Sequence, residues 1–278
     1  MKKLFAIIFP LLLCSALFGQ KRYIFHYNTD LTLTGLGLTS AATGFILGNQ
    51  VKPLTIPAIG ALNRFTVFPI DRQATYWNSR QAGQASDVFM YAGEAVPFLL
   101  MALPAARKEA GVLSLMYAET MLLNGGLTLL TKNLVLRTRP YGYNPGASLA
   151  AKQSRDTRKS FFSGHTSASA AGCFFAAKVW SDFHRESRWE PLVWGLAATL
   201  PAVTGFLRMR AGKHFFTDVA TGYVVGAAIG WLVPTLHYNG RFQKTGLSIY
   251  GSAQGLGLVC NYSKISPKLP PTFAPYFH

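Results

Sequence analysis

Carboxylates are scarce in this sequence: 11 Asp and Glu stand against 27 Lys and Arg in 278 residues, and charged side chains of both signs make up only 14%. No cluster of acids suggests the oxygen-rich coordination that Mg²⁺ takes, so no metal is expected at a reaction site. Cysteine is also sparse. Cys14, Cys173 and Cys260 are scattered, which gives neither a disulfide framework nor metal-ligand spacing. No lipobox precedes Cys14, which argues against a lipoprotein. The basic residues are interspersed among apolar segments, which makes nucleic acid the weakest reading of the +16 net charge.

Half of the residues are hydrophobic. They recur in long runs at 31–48, 88–104, 111–130, 165–180, 191–207 and 218–236, several close to the ~20 residues that a bilayer-spanning helix needs. The expected fold is therefore all-α: a polytopic transmembrane bundle of about six helices. Residues 1–20, "MKKLFAIIFPLLLCSALFGQ", have the pattern of a secretory signal peptide or a first membrane segment. Residues 21–87 form an N-terminal membrane segment and loop, 88–236 the helical core, and 237–278 a tail. Within the tail, 245–263 alternates around "GSAQG" as a hairpin does, and 266–275 is Pro-rich.

The links at 106–109 and 181–190 are basic and read as cytoplasmic, which assigns 132–160 and 208–217 to the opposite, periplasmic face. That assignment conflicts with a cleaved signal peptide, which would leave the start of 31–48 outside. Either the first segment is retained, or 31–63 includes a re-entrant or interfacial piece such as "LTIPAIGAL". Gly222, Gly226 and Gly230 repeat at four-residue spacing, a face that lets another helix approach closely. Glu94 and Glu119 lie inside apolar runs, where bundle-interior hydrogen bonding is favoured over a substrate role.

Three polar stretches interrupt this pattern. In "KNLVLRTRP", Lys132 and Arg139 are seven residues apart, two helical turns, before Pro140 ends the element. In "SFFSGHTSASAAG", Ser163 is placed to cap a helix whose free N–H groups and positive dipole end suit a phosphate, with Gly164 allowing close approach and His165 in the first turn. In "RMRAGKHFFTDV", Arg208 precedes His214 by six residues, and Asp218 follows it by four, one turn on a helix. Taken singly, each has an ordinary structural explanation: snorkelling cations, a capped helix, a surface ion pair. Together they supply what is needed to hold a phosphate and pass its phosphoryl group through a histidine.

K-x6-R-P, S-G-H and R-x5-H-x3-D, in this order and with this internal spacing, resemble the three motifs of the type 2 phosphatidic acid phosphatase (PAP2) superfamily, over roughly residues 88–236. The resemblance implies a PAP2/haloperoxidase-like core and a metal-independent phosphatase of a membrane lipid phosphate or pyrophosphate, with no cofactor. It implies that His214 is the nucleophile, that Asp218 orients it and that His165 protonates the leaving oxygen. Lys132, Arg139, Ser163, the Gly164 amide and Arg208 would hold the phosphate oxygens. Undecaprenyl pyrophosphate, phosphatidylglycerophosphate, phosphatidic acid and lipid A are the substrates it brings into view, in a multi-pass protein of the bacterial inner membrane with a periplasmic site. A vanadium haloperoxidase, a soluble acid phosphatase and a non-catalytic lipid binder or transporter are the alternatives. Phe162, where the family usually has Pro, and Leu207, where it usually has Ser, depart from the pattern.

Overall fold

The computed structural model describes residues 21–239 and two strands at 245–252 and 255–262; the signal-like segment 1–20 and the Pro-rich stretch 266–275 lie outside the described residues. Six long helices carry the described fold: α1 Tyr27–Gln50, α2 Arg80–Met101, α3 Ala110–Val135, α4 Gly164–Phe183, α5 Glu190–Arg210 and α6 Phe216–His237. Each apolar run falls on one of them, although 88–104 extends past the end of α2 into a short turn at Pro104–Arg107. Among the described residues, α1, α5 and α6 are long and apolar enough to cross a membrane. The strands β1 Thr245–Ser252 and β2 Gly255–Tyr262 pair antiparallel.

The polarity of the bundle runs opposite to that of a water-soluble protein. Leu31, Phe45, Leu99, Leu196, Phe206 and Val224 are exposed, whereas Asp30, Glu119, Ser167, Ser169 and Thr204 are buried. Hydrocarbon tolerates the first group, and the second must find partners inside.

At the centre is α4, packed against α2, α3, α5 and α6. A helix surrounded on all sides needs small residues, and "SASAAGC" supplies them. The comb of glycines on α6 fits it turn for turn: a Cβ at Gly222, Gly226 or Gly230 would strike the carbonyl oxygen of Ser163, Ser167 or Ala171. On the other side of α4, a Cβ at Gly172 would strike the carbonyl oxygen of Gly93 on α2. Close approach maximises van der Waals contact, the main attraction between helices in lipid.

The two ends of the bundle differ. At one, the segment before α1 meets the end of α6: Ile24 N donates to His237 O at 3.0 Å and Asn239 N to Arg22 O at 2.7 Å. The other end gathers the ends of α3 and α5 and the starts of α4 and α6, so all three polar stretches arrive there by alternation alone.

Candidate active site

The first stretch departs from the sequence expectation. Lys132 and Arg139 do not share a helix: α3 stops at Val135 because Leu136 takes a left-handed conformation (φ 50°), its N–H bonding back to Lys132 O. The chain then runs extended through Arg139 into a 3₁₀ turn at Pro140–Tyr143. This reversal carries Arg137 and Arg139 back over the bundle end. Lys132 Nζ, still on the helix, donates to Lys159 O at 2.9 Å.

The second stretch behaves as its sequence suggests. Ser163 is the N-cap of α4; its hydroxyl faces Thr166 N at 3.5 Å and Thr166 Oγ1 at 2.8 Å. Its side chain is thus engaged within its own helix, and Gly164 lies beside Lys132, whose Cε is 3.7 Å from where a Cβ would stand. The Phe161–Phe162 peptide is cis, and Phe162 is buried.

The third stretch holds the second departure. His214 is not one helical turn from Asp218: it sits in the link between α5 and α6, and Asp218 is in the first turn of α6. Asp218 Oδ2 accepts from Phe215 N at 2.9 Å, a cap that folds the link over the carboxylate. The imidazole is thereby left with Nδ1 3.6 Å from Asp218 Oδ2, too long for a hydrogen bond, and Nδ1 has no other partner. Nε2 faces Arg139 Nη1 at 3.4 Å. His214 is 1% exposed. Burial, then the positive charges of Lys132, Arg139 and Arg208, hold its pKa well below the usual 6.5, so the neutral ring is the favoured form.

His165 lies nearby and does not point at water alone. Its Nε2 is 2.9 Å from Asp87 Oδ1, and the same oxygen is 3.4 Å from Arg208 Nη1. Arg208 also donates to Ser86 Oγ at 3.2 Å. α2 therefore brings a hydroxyl to this arginine next to Leu207, the position where the family usually carries a serine.

Several participants escape the motif reading. Arg137 donates to Asp71 Oδ2 at 2.7 Å and, through its other nitrogen, to Asp218 Oδ1 and Thr217 Oγ1. Ser160 Oγ donates to Asp218 Oδ2 at 2.6 Å. Asp71 accepts from Thr217 N at 2.9 Å. Asp156 accepts from Arg139 Nη2 at 2.8 Å; burial would raise this carboxyl, but Arg139 outweighs it and holds the pKa below the usual range. Arg137 stands two residues before Arg139 in "RTR", and Ser160 three before Ser163, so sequence proximity was their available signal. Asp87 and Asp71 carry no such signal.

One cavity lies at this end and a second runs from near it along the bundle toward the other end. A polar one of about 310 Å³ is lined by Asn78, Tyr141, Ser148, Ser154, Asp156 and Lys213. An apolar one of about 590 Å³ runs between α2, α4 and α5, with Phe89, Leu99, Leu103, Ala176, Trp180 and Leu196 among its walls. The apolar cavity is not itself the reacting site, but Phe89 is two residues from Asp87.

Two histidines, four cations and a capped helix start thus converge on one buried corner, an arrangement suited to an oxyanion. Comparison with curated proteins returns no match. Among solved structures, a transmembrane PAP2-type phosphatidylglycerolphosphate phosphatase from Bacillus subtilis aligns at 18% identity with a TM-score of 0.43, covering 71% of this chain and 93% of its own. That alignment is too loose to carry an argument. The sequence model of the PAP2 superfamily matches residues 113–242, a span that holds all three polar stretches. Over these residues the chain is similar to the PAP2 superfamily.

Proposed function

We propose that the protein is a phosphatase of a membrane lipid phosphate or pyrophosphate, acting through a phosphohistidine on His214. The observation that carries this reading is the buried, neutral His214, its Nε2 turned toward Arg139 and its Nδ1 toward Asp218. A phosphate drawn in by Lys132, Arg139 and Arg208 meets Nε2. That nitrogen forms the P–N bond as the P–O bond to the lipid breaks, and the departing oxygen takes a proton from His165. Water then attacks phosphorus, giving its proton to His165, and His214 leaves as the neutral ring. Asp218 draws in by a few tenths of an ångström to accept a hydrogen bond from the Nδ1–H as charge develops on the ring. Ser163 is occupied as a cap, so its part is to hold the Gly164 amide in place.

The apolar cavity suits the lipid tail. From Phe89 to Leu100 the α2 wall of this cavity rises by eleven residues, about 16 Å of helix at 1.5 Å per residue. The polar cavity, with Lys213 and Asp156, suits the headgroup. We place the protein in a bacterial inner membrane with the site periplasmic, on the basic residues Lys21, Arg22, Arg107, Lys108, Arg185 and Arg188 at the opposite end. Residue 21 then starts in the cytoplasm, and a leader that carries it across would contradict the orientation. Reporter fusions at residues 50 and 109 decide the matter by activity on opposite sides.

The direct test is phosphate release by full-length protein in detergent, with chelator present, from undecaprenyl pyrophosphate, phosphatidylglycerophosphate, phosphatidic acid and lipid A. The expected result is turnover of at least one, abolished in His214→Ala. Turnover by that variant removes His214 as nucleophile. Binding without turnover across the panel favours a lipid binder, and halide oxidation with vanadate favours a haloperoxidase.

A further inference from the structure

At the end of the bundle away from the phosphate corner, three helices each contribute one buried ligand-type side chain: Asp30 from the first turn of α1, Glu119 from α3 and His237 from the last turn of α6. One oxygen or nitrogen of each lies within 4.8 Å of the others. His237 Nε2 stands 2.9 Å from Asp30 Oδ1 and 3.3 Å from Glu119 Oε2. His237 is fully buried, and Glu119 is 3% exposed.

The hydrogen bonding of this cluster is incomplete in one direction only. His237 Nδ1 lies 2.8 Å from Val233 O, so it carries the proton and donates it to that carbonyl. The outer oxygen of Asp30 accepts from His26 N at 2.7 Å. Thr34 Oγ1 approaches Glu119 Oε1 at 3.4 Å. The inward atoms are different. Glu119 Oε2 is buried with no hydrogen-bond partner, its approach to His237 falling outside hydrogen-bond geometry. A single proton on Nε2 satisfies Asp30 and leaves Glu119 orphaned with one net negative charge in a dry interior, an unfavourable arrangement. A divalent cation satisfies all three atoms and brings the charge to zero.

We propose that Asp30, Glu119 and His237 supply three of the four ligands of a structural site for a divalent transition metal, of which Zn²⁺ fits best, a water completing the tetrahedron. Two ligands held at ~2.0 Å around a tetrahedral Zn²⁺ are separated by ~3.3 Å, and the two histidine–carboxylate spacings lie at or just below this value. The bond from His237 Nδ1 to a backbone carbonyl is the outer support by which metal-bound histidines fix their tautomer. The ion would tie the start of α1 and the end of α6 to α3, across the junction where Ile24 and His237 already bond backbone to backbone. It has no part in the phosphate chemistry at the other end.

The test uses full-length protein in detergent, stripped with chelator and re-equilibrated with Zn²⁺ alone, with metal content read by elemental analysis and stability by thermal unfolding. The expectation is one Zn²⁺ per chain in the unaltered protein and in His214→Ala, and none in Glu119→Gln or His237→Gln. At a hundredfold excess over its dissociation constant, Zn²⁺ should raise Tm by roughly 5–10 °C. Because the variants remove a buried charge and can fail to fold, Co²⁺ added to the stripped, unaltered protein gives a second reading: visible bands of a tetrahedral site. Failure of the unaltered protein to hold Zn²⁺ and to give those bands overturns the proposal in favour of a protonated histidine between two acids. Full Zn²⁺ retention by folded Glu119→Gln and His237→Gln overturns it equally.

Discussion

Replacing Arg137 with Gln tests whether the phosphate corner is held by a charge bridge that lies outside the three motifs. Its guanidinium spans Asp71 and Asp218, whose side chains are 1% and 0% exposed, while its own is 26% exposed. Stripping the partner from a buried ion pair costs about 3–5 kcal/mol, because the remaining charge stays in low dielectric. Partial exposure of Arg137 and the donors left to Asp218, Ser160 Oγ and Phe215 N, place the expected loss at the lower end, about 3 kcal/mol. At ~2–4 °C per kcal/mol for a chain of this size, Tm should fall by roughly 6–12 °C. Asp71→Asn alone should cost less, since it removes the charge that Arg137→Gln would strand, and the double variant should be more stable than the sum of the singles. Thermal unfolding in detergent and phosphate release measured as kcat and KM separate the two consequences. A looser Asp218 lowers kcat more than it raises KM, because it acts on the ring in the transition state. An Arg137→Gln protein within 2 °C of the parent, with unaltered kcat, would refute the bridge as a support.

Because burial and the surrounding cations hold the pKa of His214 below 6.5, the neutral ring persists in acid, and the acidic limb of kcat/KM should lie below pH 6.5. The linkage has the matching sign: unfolded His214 takes up a proton as pH falls through about 6.5 while the folded ring does not, so stability is complete above that pH and declines below it. His214→Ala should flatten that decline in a Tm-versus-pH series. Asp87→Asn removes the carboxylate from His165; the expected effect is about a tenfold loss of kcat for lipid phosphates and a smaller loss for an aryl phosphate, whose leaving oxygen needs less protonation. Gly125 and Gly126 are adjacent on α3 but face different surroundings: a Cβ meets nothing within 4 Å at the first and the Gly37 carbonyl at the second. Gly125→Ala should therefore raise stability by up to about 1 kcal/mol, and Gly126→Ala should lower it by about 1–3 kcal/mol, both read as Tm.

The helices were legible because hydrocarbon imposes a length and a composition that a run of 16 to 20 apolar residues shows directly. The helix faces were not. With apolar residues outside and small or polar ones inside, hydropathy barely varies around α6, and the glycine comb at 222, 226 and 230 was the only sequence mark of its inner side. The chemistry-bearing residues were legible as types, and the corner gathers them. Their partners were not, since Asp71 reaches Arg137 across 66 residues and Asp87 reaches His165 across 78, separations on which local spacing is silent.

Two local arguments from helix geometry failed for one reason: both were applied where helices end. Seven residues mean one face only if the helix continues, and α3 is stopped at Leu136 by a left-handed residue that is neither Gly nor Asn, the types by which such stops are usually recognised. Four residues mean one turn only inside a helix, and His214 lies before α6, with Asp218 capping the intervening backbone. A site built on helix ends has its side chains aimed by caps and reversals, which leave backbone N–H groups at a helix start open to an anion; a site built along helix faces would have had those N–H groups already spent on the helix. The features that made the geometry hard to read from spacing are therefore the ones on which the proposed phosphate site rests.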